Sequence, residues 1–446
     1  MTDATAPGYA GFGTPAYRAF VLAALFVVYT FNFIDRSVLA IVQEQIRGEF
    51  NLTDTQLGLM GGPTFALLYT ILGIPIARLA ERRNRMTILT VCLGLWSAAT
   101  AACGLATSYV TLLVPRVFVG IGEAGCTPTA NSTIGDYFPA ASRSTAVSIY
   151  SMGVPIGAAL AGIGGGFVAE YMGWREAFLI LGLPGLVLAV LVKLTVQEPP
   201  RSTPPGEAPG FFQAFAVLAK KTTFWNIALG GAAASFTGYG VGQFSNSFFI
   251  RSHDLTVFEA AMIGGVLVGI FGGGGTFLTG FISDRIAKRH PNALAWLPGV
   301  TLLISAPLSV AGYMAASLWL AIPLLAAATL FQYFYVSGIY AATQEIVHPR
   351  MRATAVAVLL FIVNFLGYVF GPLAIGALSD YLTNTHLLAL GATLAACHAK
   401  TADAAVCAAG AAYGLKYAIV IGYLGFVWGA AHFLLAWRTM ARDRHV

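Results

Sequence analysis

The segment RSTAVSIYSMGVPIGAALAG, Arg143–Gly162, returns 209 residues later as RATAVAVLLFIVNFLGYVFG, Arg352–Gly371. Each copy starts on an arginine and then runs apolar for about the 20 residues that cross a bilayer as a helix. Thr145 matches Thr354, Gly162 matches Gly371, and just upstream Asp136 matches Glu345 at the same spacing. A second pair of loops repeats nearby. ARLAERRNR (Ala77–Arg85) and GFISDRIAKR (Gly280–Arg289) set Glu81 against Asp284, 203 residues apart. Basic loops recur through membrane topology alone, but acids contribute little to that rule. Matched acids in matched loops therefore point to a duplicated chain built from two similar helical bundles.

Composition agrees with a membrane-embedded duplication. The chain has 446 residues, 57% hydrophobic and only 10% charged, against about 25% charged in soluble domains. Its apolar stretches are long and continuous, which predicts spanning helices rather than barrel strands. The fold class is an all-α membrane protein of twelve spans, at residues 17–43, 55–79, 86–107, 109–138, 144–171, 176–196, 223–250, 257–283, 293–315, 318–346, 353–381 and 412–437. The Pro-rich run VQEPPRSTPPGEAPG separates spans six and seven. It divides the chain into an N-terminal six-helix half (1–196), a linker (197–222) and a C-terminal six-helix half (223–446), related by pseudo-symmetry. The first fifteen residues lack a basic cluster and a cleavage site, and read as a tail rather than a signal peptide.

With the N-terminus inside, 18 of the 25 Lys and Arg residues fall on the cytoplasmic side and five outside. That bias predicts both termini in the cytoplasm. It also accounts for the net charge of +6 without nucleic acid. The cytoplasmic loop charges form two sets: Glu81, Arg82, Arg85, Asp136 and Arg143, then Asp284, Arg285, Arg289, Glu345 and Arg352. They are read as a latch that holds the inner face closed in one state of a rocking pair of halves.

Four charges lie deep in the spans, all in the first half: Asp35, Arg36, Arg116 and Glu123. A charge at the bilayer centre costs roughly 2.5–3.5 kcal/mol on insertion scales and marks function. The span ends put Asp35 and Arg116 at one level, about 11–12 Å below the outer surface, with Glu123 about 10 Å deeper. A static ion network is weakly stabilising at best, because desolvation offsets the attraction. The alternative is a protonation switch: an acid that loses its arginine when the site dries takes up a proton. Asp35 and Glu123 are then the coupling acids. Arg36 and Arg116 are their partners or bind an anionic headgroup.

The motifs around these charges resemble a known family. The acid–Arg loops resemble the signature loop of the major facilitator superfamily, LVPRVFVGIGEAG (Leu113–Gly125) its span-four motif, and SMGVPIGAALAG (Ser151–Gly162) the span-five motif of its exporters and antiporters. A closer resemblance is to the Spinster branch, through NFIDR (Asn32–Arg36), VGIGEAG (Val119–Gly125), RSTAVSIYSMGVPIG (Arg143–Gly157) and EPPR (Glu198–Arg201). Ala77 and Glu81 stand where the first signature loop usually has Gly and Asp. The resemblance implies a proton-driven transporter of lysophospholipid or sphingolipid type in a bacterial inner membrane. The Asp-Arg pair also resembles organic-anion symporters, which keeps an organic-anion/proton symporter as the alternative.

The second half supplies uncharged polar groups for the other wall of a cavity. Candidates are Tyr239, Gln243 and Asn246 in span seven, Tyr340 in span ten and Asn364 in span eleven, facing Asn32 of span one. For any one of these, interhelical hydrogen bonding is the competing role. GIFGGGG (Gly269–Gly275) follows no strand and lacks a phosphate-binding lysine, so it reads as close helix packing or a bend. Cys397 and Cys407 share an outer loop and are a candidate disulfide; no metal site is expected. The expected function is export of an amphipathic small molecule by alternating access. No cofactor is expected, the proton gradient supplies the energy, membrane lipids surround the chain, and it acts as a monomer. A channel would lack the loop latches, and an enzyme would need a nucleophile–base or metal set near an interface.

Overall fold

A computed structural model describes residues 11–201, 211–287, 290, 292–348 and 351–444, and these are helical with no strand. Eleven helices are long and apolar enough to cross a membrane. In chain order they are α1 (Pro15–Phe50), α2 (Asp54–Arg82), α3 (Arg85–Cys103), α4 (Tyr109–Tyr137), α5 (Ala141–Tyr171), α6 (Trp174–Thr195), α8 (Val257–Thr279), α9 (Ala293–Met314), α10 (Leu318–Glu345), α11 (Thr354–Ala389) and α12 (Ala404–Asp443). The twelfth long helix, α7 (Thr222–His253), is less apolar because Thr237, Gln243, Ser245, Asn246 and Ser247 interrupt it. Most of its length is buried against α1, α11 and α12, so it faces protein rather than lipid. The short helix Phe211–Leu218, from the expected linker, sets Phe211 against Phe361 of α11 at a ring separation of 5.8 Å.

Local sequence fixes the helix ends. Thr14 caps α1 by accepting from the Tyr17 backbone N–H, and Pro15 follows it. Thr53 with Gln56, Ser108 with Thr111, and Thr256 with Glu259 form reciprocal capping boxes at the starts of α2, α4 and α8. Helix α1 runs to Phe50, seven residues past its expected end at 43, and stops on Asn51 with φ 53°. Single π turns interrupt α5 (Ala161–Gly165), α8 (Leu267–Gly272) and α11 (Asn364–Tyr368). The α8 turn overlaps the start of GIFGGGG, from Gly269 to Gly272, and Asn364 opens the α11 turn.

A dense set of hydrogen bonds and ion pairs between the halves lies toward one face, here called distal, which carries the α1–α2, α7–α8 and α11–α12 loops. Gln43 of α1 donates to the Gln243 carbonyl (2.6 Å) and to Ser247 Oγ (2.7 Å), and Gln243 donates back to Gln43 Oε1 (2.6 Å). Arg251 of α7 grips Glu44 (2.6 Å) and Asp54 (2.7 Å) of the first half. Asp380 of α11 accepts from the Asp54 and Thr55 backbone N–H groups at 2.9 and 2.8 Å. Cys397 and Cys407 are disulfide-bonded in the α11–α12 loop, and the neighbouring His398 carbonyl accepts from Asn51 (3.0 Å).

On the terminal face no described ion pair joins the two halves. Arg85 is buried between Asp136 (2.5 Å) and Glu198 (2.7 Å). Arg444 meets Glu345 at 2.8 Å. Arg143 reaches only its local Phe138 carbonyl among the described bonds (3.5 Å). Glu81, Arg82 and Arg352 are exposed. Arg285 belongs to the helix that continues α8, whereas Arg289 and the Asp284 side chain lie outside the described residues. Thus Arg85 and Glu345, grouped in the sequence as latch residues, each brace their own half in this state.

Candidate functional site

The four deep charges converge where α1, α2, α3 and α4 pack together. Two glycines let α4 come close enough. A Cβ at Gly120 would sit 2.3 Å from the Phe65 carbonyl oxygen, and one at Gly122 would sit 2.8 Å from the Trp96 backbone nitrogen and side chain. Only hydrogen fits there, which is the physical content of the VGIGEAG segment. Filling such a contact costs about 1–3 kcal/mol or more. Gly122→Val is therefore expected to lower the melting temperature in detergent and to abolish transport. Unchanged melting and flux would show that this approach is unnecessary.

Glu123 ends the first part of α4, one residue before the chain turns at Ala124 and Gly125. Its Oε2 accepts from Arg36 Nη2 (2.8 Å) and Nε (3.1 Å). Asn32, one turn before Arg36 on α1, is Glu123's further polar neighbour. The Arg36 guanidinium sits in a box of rings, 4.8 Å from Tyr69, 5.0 Å from Phe33, 5.2 Å from Phe65 and 5.7 Å from Tyr368. Tyr368 comes from α11 and stacks on Tyr239 of α7 at 3.9 Å. The second half thus supplies part of the box around a first-half cation. Arg116 lies over the other side of this cluster, 5.3 Å from Phe65, so one buried phenyl ring serves two guanidinium groups.

The pairing differs from that expected from depth. Arg36 takes Glu123, and no ion pair within 4 Å is described between Asp35 and Arg116. Asp35 is fully buried, and neither of its oxygens accepts a described hydrogen bond. Its polar neighbours are Glu123, Arg116 and the Trp96 indole. Arg116 is 1% exposed, and its Nε and Nη1 are likewise without a described bond. The cluster therefore holds one tightly paired acid and one unpaired acid, with a second arginine beside them.

A cavity of about 240 Å³ opens beside Arg36 between the halves. Phe33, Arg36 and Ser37 of α1 line one side, and Tyr239, Gln243 and Asn246 of α7 the other. Toward α9 and α12 it is bounded by Ser245, Ser309, Tyr313 and Tyr423. Of the residues expected to line it, Asn32 is buried behind the wall, and Tyr340 and Asn364 are half-buried elsewhere. The α9 and α12 hydroxyls were not singled out in the sequence, because one Ser or Tyr in an apolar span gives no signal of its own.

A model of the Major Facilitator Superfamily matches residues 25–372. The structure is similar to that of a bacterial homologue of the human lysosomal transporter Spinster, described as inward-facing and unoccupied, with TM-score 0.87 and 40% identity over 97% of this chain and 100% of that one. An MFS-type efflux pump of Mycolicibacterium smegmatis is 33% identical over 367 residues, covering 81% of this chain and 85% of its own length. Human protein spinster homolog 1 is 28% identical over 402 residues, covering 83% of this chain and 74% of its own.

Proposed function

The chain belongs to the Major Facilitator Superfamily, in its Spinster branch, and we propose that it is a proton-driven transporter that exports an amphipathic lipid of lysophospholipid or sphingolipid type by alternating access. The observation that carries this reading is the position of Arg36. Its guanidinium is bonded to the buried Glu123 carboxylate on one side and lines the interhalf cavity on the other. A cation shared in this way links the protonation of the acid to what occupies the cavity. Protonating Glu123 frees Arg36, and an anion at Arg36 changes what Glu123 gains from its charge.

The bonds that close the distal face leave the terminal face as the side of access, and the bias of Lys and Arg assigns that face to the cytoplasm. Substrate enters from there, and breaking the distal bonds releases it outside. Asp35 supplies the second proton site, since a proton there removes a buried charge whose polar neighbours are a second acid, Arg116 and the Trp96 indole. The protein works in this scheme as a monomer in a bacterial inner membrane.

The test uses the purified protein in liposomes with an imposed pH gradient. A labelled lysolipid and a pH dye should report lipid and proton moving in opposite directions. Movement in the same direction favours the organic-anion symporter, and lysolipid flux indifferent to the gradient removes proton coupling.

A further inference from the structure

We propose that the transported head is an anion extended by a polyol, of phosphoglycerol or phosphoinositol type, and that Ser245 and Tyr313 select for the polyol. This rests on the lipid-transport reading above and narrows it. The charge of the cavity sets the first half of the inference. Among the described lining residues Arg36 is the one charged group, since no Asp, Glu or Lys lines the cavity and the Glu123 partner of Arg36 is not among the lining residues. A phosphate or carboxylate has a partner there. An ammonium head would lose its water with no anion to replace it, at a high desolvation cost. Nor are the rings a vacant cage for a quaternary amine, because the guanidinium of Arg36 already occupies their faces.

The far end of the cavity sets the second half. Ser245 Oγ and Tyr313 OH lie 3.1 Å apart and either can donate. Ser309 and Tyr423 line the same end, and the Tyr313 and Tyr423 rings are 5.9 Å apart. Hydroxyl groups both donate and accept, so this end matches ligand hydroxyls rather than a charge of either sign. Tyr239 stands beside Arg36, and Ser245 follows it by six residues on α7, a rise of about 9 Å. A bare phosphate at Arg36 leaves that length empty, whereas a glycerol or inositol extension bridges it. The volume agrees: about 240 Å³ is below the roughly 300–1,000 Å³ of pockets that enclose a whole drug-sized ligand. It takes a head, and a long acyl chain stays outside it.

The experiment compares pH-driven flux of five probes in proteoliposomes. They are lysophosphatidylglycerol, lysophosphatidylinositol, lysophosphatidate (the anion without polyol), lysophosphatidylcholine and sphingosine. The polyol heads should move roughly tenfold faster than the others, the scale of a pair of hydrogen bonds. In Ser245→Ala/Tyr313→Phe the ratio of lysophosphatidylglycerol to lysophosphatidate flux should fall by about the same factor. Tyr313→Phe alone, which keeps the ring, should give part of that fall if the double variant does not fold. Equal flux of the glycerol and choline heads, or an unchanged ratio in both variants, overturns the assignment. If no lysolipid moves but glycerol phosphate or a sugar phosphate does, the head assignment stands and the lipid reading fails.

Discussion

Asp35→Asn combined with Glu123→Gln is expected to lower pH-driven flux by about a hundredfold or more, the scale of one misplaced buried charge. The two positions contribute differently. Glu123 holds Arg36 through two charge-assisted bonds at 2.8 and 3.1 Å, so Glu123→Gln keeps the shape but leaves a buried guanidinium without its counter-charge. Breaking such a pair costs about 3–5 kcal/mol when the surviving charge stays buried. That variant should lose part of its thermal stability along with its pH response. Asp35→Asn deletes an acid that makes no described hydrogen bond. It should fold as well as the parent and still lose proton coupling. The signature sought is a flat pH profile in Asp35→Asn, with substrate still equilibrating down its own gradient. Full pH-driven flux in the double variant would show that neither acid carries the coupled proton.

The location of these acids was legible in the sequence, and their pairing was not. Asp35, Arg36, Arg116 and Glu123 are conspicuous because little else in the spans is charged. Residue counting along α1 and α4 gives depth, however, and not direction. Asp35 and Arg36 are neighbours in sequence, yet about 100° of helical rotation separates them. Which of them meets Glu123 depends on how α1 lies against α4. Gly120 and Gly122 set how α4 lies on α2 and α3, and Gly153 and Gly157 of α5 set how close α1 comes, with a Cβ at Gly157 only 2.6 Å from the Thr30 carbonyl oxygen; hydropathy records none of this. The duplicated halves were legible because the 209-residue repeat carries acids as well as basic residues. Individual loop roles were less so. Arg85 falls opposite Lys288 at the 203-residue spacing of the loops, yet it finds Glu198, a partner from the linker, as well as Asp136. The least legible part was the distal junction. Helices α1 and α7 overrun their apolar stretches to Phe50 and His253, carrying Glu44 and Arg251 into protein contacts where hydropathy marked the edge of the membrane.

That junction carries the second large effect, because one guanidinium holds two carboxylates of the opposite half. Arg251 Nε and Nη2 meet Glu44 at 3.0 and 2.6 Å, and Nη1 and Nη2 meet Asp54 at 2.8 and 2.7 Å. The Arg251 and Asp54 side chains are 7% and 2% exposed, so the pairing is largely dry. Ser379 also donates to Asp54 (2.6 Å), from the same half as Arg251. In Arg251→Met the two acids keep only the longer contacts to Arg47 of their own half, 3.9 Å from Glu44 and 3.5 Å from Asp54. The cost, at most the roughly 3–5 kcal/mol of a fully unpaired buried charge, falls on the distally closed state. Once the halves part there, water solvates both acids and the cost disappears. The equilibrium should therefore move toward the distally open state by up to about a hundredfold. Ser247→Cys gives the readout, because Ser247 is fully buried on the distal side and bonded to Gln43. In a background lacking Cys92, Cys103 and Cys126, a maleimide that cannot cross the membrane should label it far faster when Arg251→Met is also present. Arg251→Lys keeps the charge but loses the fork that reaches two carboxylates at once, and should fall between. Transport by Arg251→Met should slow, because each cycle must close the distal face again. Labelling as slow as in the parent, with transport intact, would mean that the halves are held on this side by something other than Arg251.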